Sequence, residues 1–329
     1  MGRRAPVWKA ALWGGVCGTI PDLDALIDHG DPIRNMTFHR AESHSLLYLS
    51  VLSPLLAWLI ARQDRGEFKR WWLATFLALF THPLLDLMTI YGTQLLQPFT
   101  DHPFAIGSVF ILDPLFTLPL LFGLLATGVT RHAKRHRGNA IGLSIGVAYL
   151  CWSMAAQAIV TRAAERDLAA QGINVERLLV TATPFNTLLW RIVALEPGGG
   201  AYHEGFRSLL DPPGPIRFDR FTSDRGLFDV LRGNWGLERM AWFSHGFFRV
   251  RERNGYVTIA DLRMGQEPGY AFEFAVARGT ANPGFREIPY RAVGDRGDAA
   301  ALLDWLWPRI AGSGAVPPRK SPPTLTLEP

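Results

Sequence analysis

Three stretches of this chain carry no charged residue: 45–61 (SLLYLSVLSPLLAWLIA), 114–130 (PLFTLPLLFGLLATGVT) and 138–161 (GNAIGLSIGVAYLCWSMAAQAIVT). A helix crossing a bilayer needs ~20 mostly apolar residues, so the last run meets that length outright and the other two reach it with weakly polar flanks. Residues 161–329, by contrast, hold 21 Lys/Arg and 19 Asp/Glu. The mean hydropathy of +0.08 therefore averages two unlike halves, and a purely soluble enzyme is excluded as the default. The pattern predicts an α-helical polytopic membrane domain over 1–161, a small extracytoplasmic α+β domain with an antiparallel sheet over 162–311, and a disordered tail over 312–329 (GSGAVPPRKSPPTLTLEP). Cys17 and Cys151 sit in apolar stretches and imply neither a disulfide framework nor a thiolate metal site.

About five spans are expected, near 5–21, 44–61, 71–90, 108–130 and 139–161, with the first weakened by Lys9. A cleaved signal peptide is the competing reading of that first segment, but no small-residue cleavage pattern precedes Pro21-Asp22-Leu23-Asp24. Threading five spans gathers Arg3, Arg4, Lys9, Arg62, Arg65, Lys69, Arg70, Arg131, Lys134, Arg135 and Arg137 on one side and only Arg34 and Arg40 on the other. The positive-inside bias then places the N-terminus in the cytoplasm and the polar half outside. The net charge of +5 orients spans by this reading. Apart from the short RHAKRHR at 131–137 there is no basic run with interleaved aromatics, so the expected partner is the lipid bilayer and not nucleic acid.

Acidic residues contribute little to topology, yet Asp22, Asp24, Asp28, Asp31, Glu42, Asp86, Asp101 and Asp113 all fall at or near the outer side, together with His29, His39, His44, His82 and His102. Imidazole and carboxylate converging from distant segments are the ligand types of a divalent-metal site. His82 and Asp86 are the sharpest pair, four residues apart inside an apolar span and so on one helical face. The alternative is a helix broken at Pro83 with His82 bonded to a carbonyl. In Phe38-His39-Arg40-Ala41-Glu42-Ser43-His44-Ser45 a spacing of five puts the two histidines ~140° apart on a helix, so both converge only if His39 lies in the preceding loop. Ser43 would then be an N-cap beside His44, and both histidines would otherwise be interface side chains. Asp22 and Asp24 can share an ion only on a turn or extended backbone, which Gly18 and Pro21 favour; a solvated acidic loop is the alternative.

Asp113 reads as a second-layer partner of an imidazole and an N-cap for the helix opened by Pro114. His102 either lines the site or is solvated. Arg40 reads as an anion clamp for transition-state charge, or as an interface anchor.

At these residues the chain resembles the bacterial inner-membrane, membrane-bound metal-dependent hydrolases (YdjM/YbcI-like). The resemblance rests on PDLD at 21–24, HRAESHS at 39–45, HPLLD at 82–86, TIYGTQLLQPF at 89–99 and FAIGSVFILDPLFTLPLL at 104–121, and covers roughly residues 10–160. It implies a helical membrane domain with a His/Asp-rich site and hydrolase activity, in which Asp22 and Asp24 match the acidic pair, His39, Arg40 and His44 the histidine motif, and His82 and Asp86 the HxxxD element. The expected metal ligands are therefore Asp22, Asp24, His39, His44, His82 and Asp86, with zinc ahead of manganese or iron because the donors mix imidazole and carboxylate.

Beyond Val160, TRAAERDLAAQG reads as an amphipathic continuation of the last span ending at Gly172. RLLVTATP, NTLLWRIVAL, HGFFRVRERNG, YVTIADLRM and YAFEFAVARG read as strands, Asn254-Gly255 as a hairpin turn, and 226–243 as a helix. The single histidines His203 and His245 read as sheet or surface residues. The chain is thus expected to be a membrane enzyme that hydrolyses an ester or phosphoester, of a lipid-linked substrate, through a metal-activated water, with Asp24 or Asp86 as general base and Arg40 on the developing charge. A metal-stabilised, non-catalytic interaction module and a metal or proton transporter are the alternatives; a transporter would continue its polar residues to the inner side, and the inner halves of these spans are apolar.

Overall fold

A computed structural model describes residues 7–64, 67–129, 136–280, 284–295, 298–319 and 325. Arg3, Arg4, Arg65, Arg131, Lys134 and Arg135, which carry much of the expected charge asymmetry, lie outside the described residues, as does half of the expected tail. The chain divides into two compact units: Met1–Asp28 with Phe38–Met154 and Pro184–Asn186, and His29–Thr37 with Ala155–Thr183 and Thr187–Pro329.

The first unit is helical. Helices stand at all five expected places: α1 (Val7–Thr19), α3 (Leu46–Asp64), α4 (Phe68–Leu87), α5 (Pro114–Val129) and α6 (His136–Ala170), the last continuing beyond Met154 into the second unit, to which nearly all of the short helix α2 (Pro32–Phe38) also belongs. Two of them, not five, are long and apolar enough to cross a membrane: Leu46–Gln63 and His136–Ala170. Within the described residues α1 has 13 residues and α5 has 16, less than the ~20 that a ~30 Å hydrocarbon core requires at 1.5 Å per residue. In α4 the length suffices, but Lys69, Arg70, His82 and Asp86 dilute its apolar character. Only 22% of each apolar window in α3 and α6 is buried, the reverse of a soluble core helix. Val51, Leu55, Phe122, Ile141 and Leu143 point outward instead, as side chains facing lipid would.

The inside of this unit mixes small and polar side chains with a few large apolar ones. Cys17, Ala57, Ile60 and Trp71 join α1, α3 and α4, and the Trp72 indole donates to Ser53 Oγ at 3.1 Å. Between α5 and α6 the backbones nearly touch: a Cβ on Gly123 would lie 2.7 Å from the Gly138 carbonyl oxygen, and one on Gly142 would overlap the carbonyl oxygen of Pro119. Such stripes of small residues let helices associate where no hydrophobic effect drives them together.

The second unit is α+β, with two four-stranded antiparallel sheets and a two-stranded hairpin in place of the single small sheet expected. One sheet has the order β1 (Arg177–Ala182), β2 (Leu189–Leu195), β3 (Ala201–Ser208), β4 (Phe218–Thr222). The other is ordered β10 (Phe285–Ala292), β9 (Glu273–Gly279), β6 (Tyr256–Asp261), β5 (Phe248–Arg253), and β7 (Gly265–Gln266) pairs with β8 (Gly269–Tyr270). Every residue of β2 is buried, because alternate side chains serve two cores. Trp190 and Ile192 pack with Ala156, Val160 and Ala164 of α6, whereas Val193 and Leu195 pack with Tyr202, Ala260, Leu262 and Tyr270. Asn254 (φ 52°) and Gly255 (φ 77°) form the expected β5–β6 turn, both in the left-handed region that a two-residue hairpin demands.

The helix expected over 226–243 is two, α7 (Arg225–Val230) and α8 (Trp235–Phe243). They separate at Gly233, whose φ of 97° leaves the helical region, and at Asn234, whose side chain accepts from Leu237 N to start the second. Helix α9 (Ala299–Ile310) ends the regular structure. In the described part of the tail, 312–319, there is no helix or strand, but Trp305 Nε1 donates to Ala315 O at 3.0 Å and Arg319 pairs with Asp219 at 2.7 Å.

Candidate metal centre

Four segments of the first unit bring their polar side chains together. The chain leaves α1 through a 3-10 turn, Pro21–Leu26, which begins at a proline and carries Asp22 and Asp24. A second such turn, Glu42–His44, delivers His44 just before α3, and α4 runs unbroken through Pro83 to present His82 and Asp86 one turn apart. The remaining segment is the loop after α4, tied down by Ile106 N donating to Leu87 O at 2.8 Å and by Gln94 N donating to Arg40 O at 2.9 Å.

One atom from each of Asp22, His44, His82 and Asp86 lies within 4.8 Å of the other three. His44 Nε2 is 3.1 Å from Asp86 Oδ2 and 3.3 Å from Asp22 Oδ1; His82 Nε2 is 3.3 Å from Asp86 Oδ2 and 3.5 Å from Asp22 Oδ1. All four atoms are buried and none has a hydrogen-bond partner. Four orphaned acceptor-type atoms facing one point are costly unless a cation joins them. The four imidazole–carboxylate separations, 3.1–3.5 Å, are of the size expected between ligand atoms that share one zinc ion through ~2.0–2.1 Å bonds. The donor set of two imidazole nitrogens and two carboxylate oxygens fits a borderline cation such as Zn²⁺ better than Mg²⁺.

A second layer fixes the first. Asp24 does not face the centre: Oδ1 accepts from His39 Nδ1 at 2.8 Å, and Oδ2 accepts from Arg40 N at 2.9 Å and from Ser43 Oγ at 2.5 Å. Burial opposes ionisation of Asp24, but these three donors outweigh it and hold its carboxyl below the usual range. Because the one Ser43 hydroxyl proton goes to Asp24, the 2.9 Å contact between Ser43 Oγ and His44 Nδ1 is a bond that the imidazole N–H donates. Neutral His44 therefore has its bare lone pair on Nε2, pointing into the cluster, the tautomer a metal requires. The His44 and His82 rings keep the Asp22 carboxyl well below the usual carboxylate range against a smaller opposing push from burial.

Of the six expected ligands, four converge and two, Asp24 and His39, form the layer behind them. The split arises because residues two apart on a 3-10 turn face different directions, and because His39 lies in the turn after α2. Ser43 is not the N-cap of α3. That helix starts at Leu46, and Ser45 Oγ accepts from Tyr48 N at 3.2 Å in the capping role.

Arg40 is buried, and its guanidinium points inward to Asp86 Oδ1 (3.1 Å) and Thr89 Oγ1 (3.3 Å), so it is not offered to a substrate as a clamp. Asp113 caps α5 through Leu115 N (2.9 Å) and accepts from Tyr149 OH (2.7 Å); it joins α5 to α6 and touches no imidazole of the cluster. His102 is exposed, with its ring edge-on to Phe104. Asp22 is the group that meets solvent: its side chain is 44% exposed although Oδ1 is buried, so the exposure falls on Oδ2 and the methylene.

In the second unit His203 bonds Glu196 at 2.8 Å within the sheet, consistent with a non-ligand role. The sequence reading missed a buried charge network there: Arg191 pairs with Glu204 at 2.6 Å, Arg249 with Glu267, and Arg263 with Asp261 at 2.7 Å. Charges inside strands read as solvent-facing, and only the cross-strand register, with Val193 opposite Glu204, shows them turned inward.

Among curated proteins the chain is similar to the uncharacterized protein YfhP of Bacillus subtilis (strain 168), 32% identical over 97 residues, a match spanning 29% of each chain. No solved structure matches it. Residues 1–160, just under half of the chain, match the family described as YdjM inner membrane protein, and that stretch holds the four converging atoms and the layer behind them.

Proposed function

We propose that residues 1–160 form a membrane-bound, divalent-metal-dependent hydrolase acting on an ester or phosphoester of a lipid-linked substrate. The observation that carries the metal is the set of four buried, unpartnered atoms of Asp22, His44, His82 and Asp86 directed at one point. Zinc is the proposed ion on donor chemistry, with manganese and iron as the nearest alternatives. When bound, the ion supplies a Lewis acid for the scissile bond's oxygen and lowers the pKa of water toward neutrality.

The protein's own groups divide the remaining work. His44 and His82 orient the site through nitrogens, the first with its tautomer set by Ser43 and Asp24. Asp24 and Asp86, the general bases expected from sequence, each have oxygens committed elsewhere, to His39, Ser43 and Arg40 N in one case and to Arg40 Nη2 in the other. Asp22, whose side chain is 44% exposed, is the carboxylate at the mouth of the site, where a substrate or water would enter. Five spans, with the N-terminus in the cytoplasm and the second unit outside, remain the proposed threading; an export-dependent reporter fused after residue 161 tests it, and a cytoplasmic signal inverts it.

A second reading has its own observation. Two imidazoles and two carboxylates are enough protein ligands to fill a four-coordinate shell, as structural metal sites do, whereas catalytic ones leave a position to water. The deciding experiment is metal analysis of the detergent-purified full chain with His44→Ala and His82→Ala beside it, followed by hydrolysis of p-nitrophenyl ester and phosphodiester probes. The hydrolase reading expects about one ion per chain, loss of that ion in both variants, and turnover that a chelator removes. A loaded protein without turnover on any ester or phosphoester probe, lipid-linked ones included, supports the structural reading, and a wild-type chain that takes up no metal refutes both.

A further inference from the structure

Arg40 is singled out by three features that an anion clamp does not explain. Its backbone adopts φ 62°, the left-handed region that non-glycine residues rarely occupy, so the surrounding structure holds it there against strain. Its guanidinium is almost wholly buried, with Nε lacking any hydrogen-bond partner, a further cost. That group is aimed at one atom of the cluster: Nη2 sits 3.1 Å from Asp86 Oδ1, while Nη1 donates to Thr89 Oγ1 at 3.3 Å and Thr89 Oγ1 donates to Asp86 O at 2.7 Å. The Tyr91 ring lies 5.2 Å from the guanidinium carbon and closes the other side.

The consequence falls on Asp86. Of its two oxygens, Oδ1 is held by Arg40 and Oδ2 alone faces His44 and His82. A carboxylate binds a metal through one oxygen or two, and the choice changes the coordination number. We propose that Arg40 is a positioning residue that restricts Asp86 to one ligand oxygen and so would keep the ion's coordination number one lower than a two-oxygen Asp86 would give. This rests on the metal reading above and adds to it the coordination mode of one ligand. The backbone of Arg40 contributes separately, through its N–H to Asp24 Oδ2.

Glycine separates the two contributions, because it adopts φ 62° without strain and keeps the N–H while removing the guanidinium. Cobalt(II) in place of zinc reports coordination number directly: four-coordinate cobalt absorbs strongly in the visible, and five- or six-coordinate cobalt weakly. The wild-type cobalt protein should give the intense spectrum. Arg40→Gly should lower the visible absorption several-fold as Asp86 Oδ1 joins the ion, and Arg40→Lys, which keeps a donor cation on Oδ1, should restore most of it. An Arg40→Gly spectrum equal to wild type overturns the proposal, as does a lysine variant no different from glycine.

Should Arg40→Gly fail to fold, Asp86→Asn gives a second test. A guanidinium only donates hydrogen bonds, so it draws the amide oxygen and turns the NH₂ toward the ion. Cobalt should be lost as fully as in Asp86→Ala, and retention near the wild-type level overturns the proposal. A wild-type chain that takes up no cobalt or zinc is a different failure, that of the metal reading itself.

Discussion

The tightest consequence of the second layer concerns Ser43. Its hydroxyl lies 2.5 Å from Asp24 Oδ2 and 2.9 Å from His44 Nδ1, and the next acceptor for that imidazole N–H is Asp24 Oδ2 at 3.7 Å, beyond hydrogen-bond range. Ser43→Ala therefore leaves a buried donor without an acceptor whenever His44 presents Nε2 to an ion. An orphaned donor of this kind costs about 1–3 kcal/mol. The metal-free protein escapes most of that cost, since His44 is then free to change tautomer, so the loss appears in binding. Metal affinity should fall by roughly ten- to a hundred-fold, the range seen when partners behind a ligand are removed. Asp24 keeps His39 and Arg40 N, so the fold should change little. Competition of the detergent-purified variant against a chromophoric zinc chelator measures this, with circular dichroism confirming that helix content is retained. A dissociation constant within about twofold of wild type in a folded variant refutes the assigned tautomer and the relay from Asp24 through Ser43.

Other predictions follow from packing and charge. Arg191→Met leaves Glu204 ionised and buried without its partner and should destabilise the full chain by about 3–5 kcal/mol in denaturant titration, while Arg191→Met/Glu204→Leu recovers part of that loss. Gly142→Ala forces a methyl against the Pro119 carbonyl and should cost about 1–3 kcal/mol of thermal stability in detergent, whereas Ile141→Ala, on the exposed side of the same helix, should cost much less. Arg220, then His203, hold the Glu196 carboxyl down to about 2 from an ordinary 4.5, with burial opposing weakly. That pair therefore contributes stability that is present above about pH 4.5 and lost as the pH falls toward 2. Glu196→Gln should flatten the melting temperature over that window, by a small amount that added salt shrinks, because the pair is largely exposed.

The parts of this molecule that sequence exposes are those set by local periodicity. His82 and Asp86 announce a shared helical face through their spacing of four, and the uncharged runs mark α3, α5 and α6 before any coordinate is known. The ranking of the ligands is not local. Whether Asp22 or Asp24 faces the ion depends on a 3-10 turn, and whether Arg40 serves a substrate or Asp86 depends on a positive φ that no pattern around His39-Arg40-Ala41 signals. Strands β3 and β4 escaped for a related reason. AYHEGFRS and FDRFT carry charges that look solvated, and Glu204 is buried only because Arg191 stands on the neighbouring strand to neutralise it.

The two carboxylates of the centre are held with unequal firmness, and this bears on how fast an ion comes and goes. Asp86 sits within a 20-residue helix with its rear oxygen gripped by Arg40, and both imidazoles are largely or wholly enclosed. Asp22 belongs to a six-residue turn and is the most solvent-exposed of the four. If the cluster holds an ion as proposed, three donors would form the firmer floor, and rotation of Asp22 about its own side-chain bonds would open the fourth corner. Residence time would then depend chiefly on one short side chain and affinity on all four, so the two quantities would be separable by substitution. A site of that kind can hold its ion tightly at equilibrium and still exchange it on a timescale set by rotamer motion and turn mobility, with no opening of the helices around it.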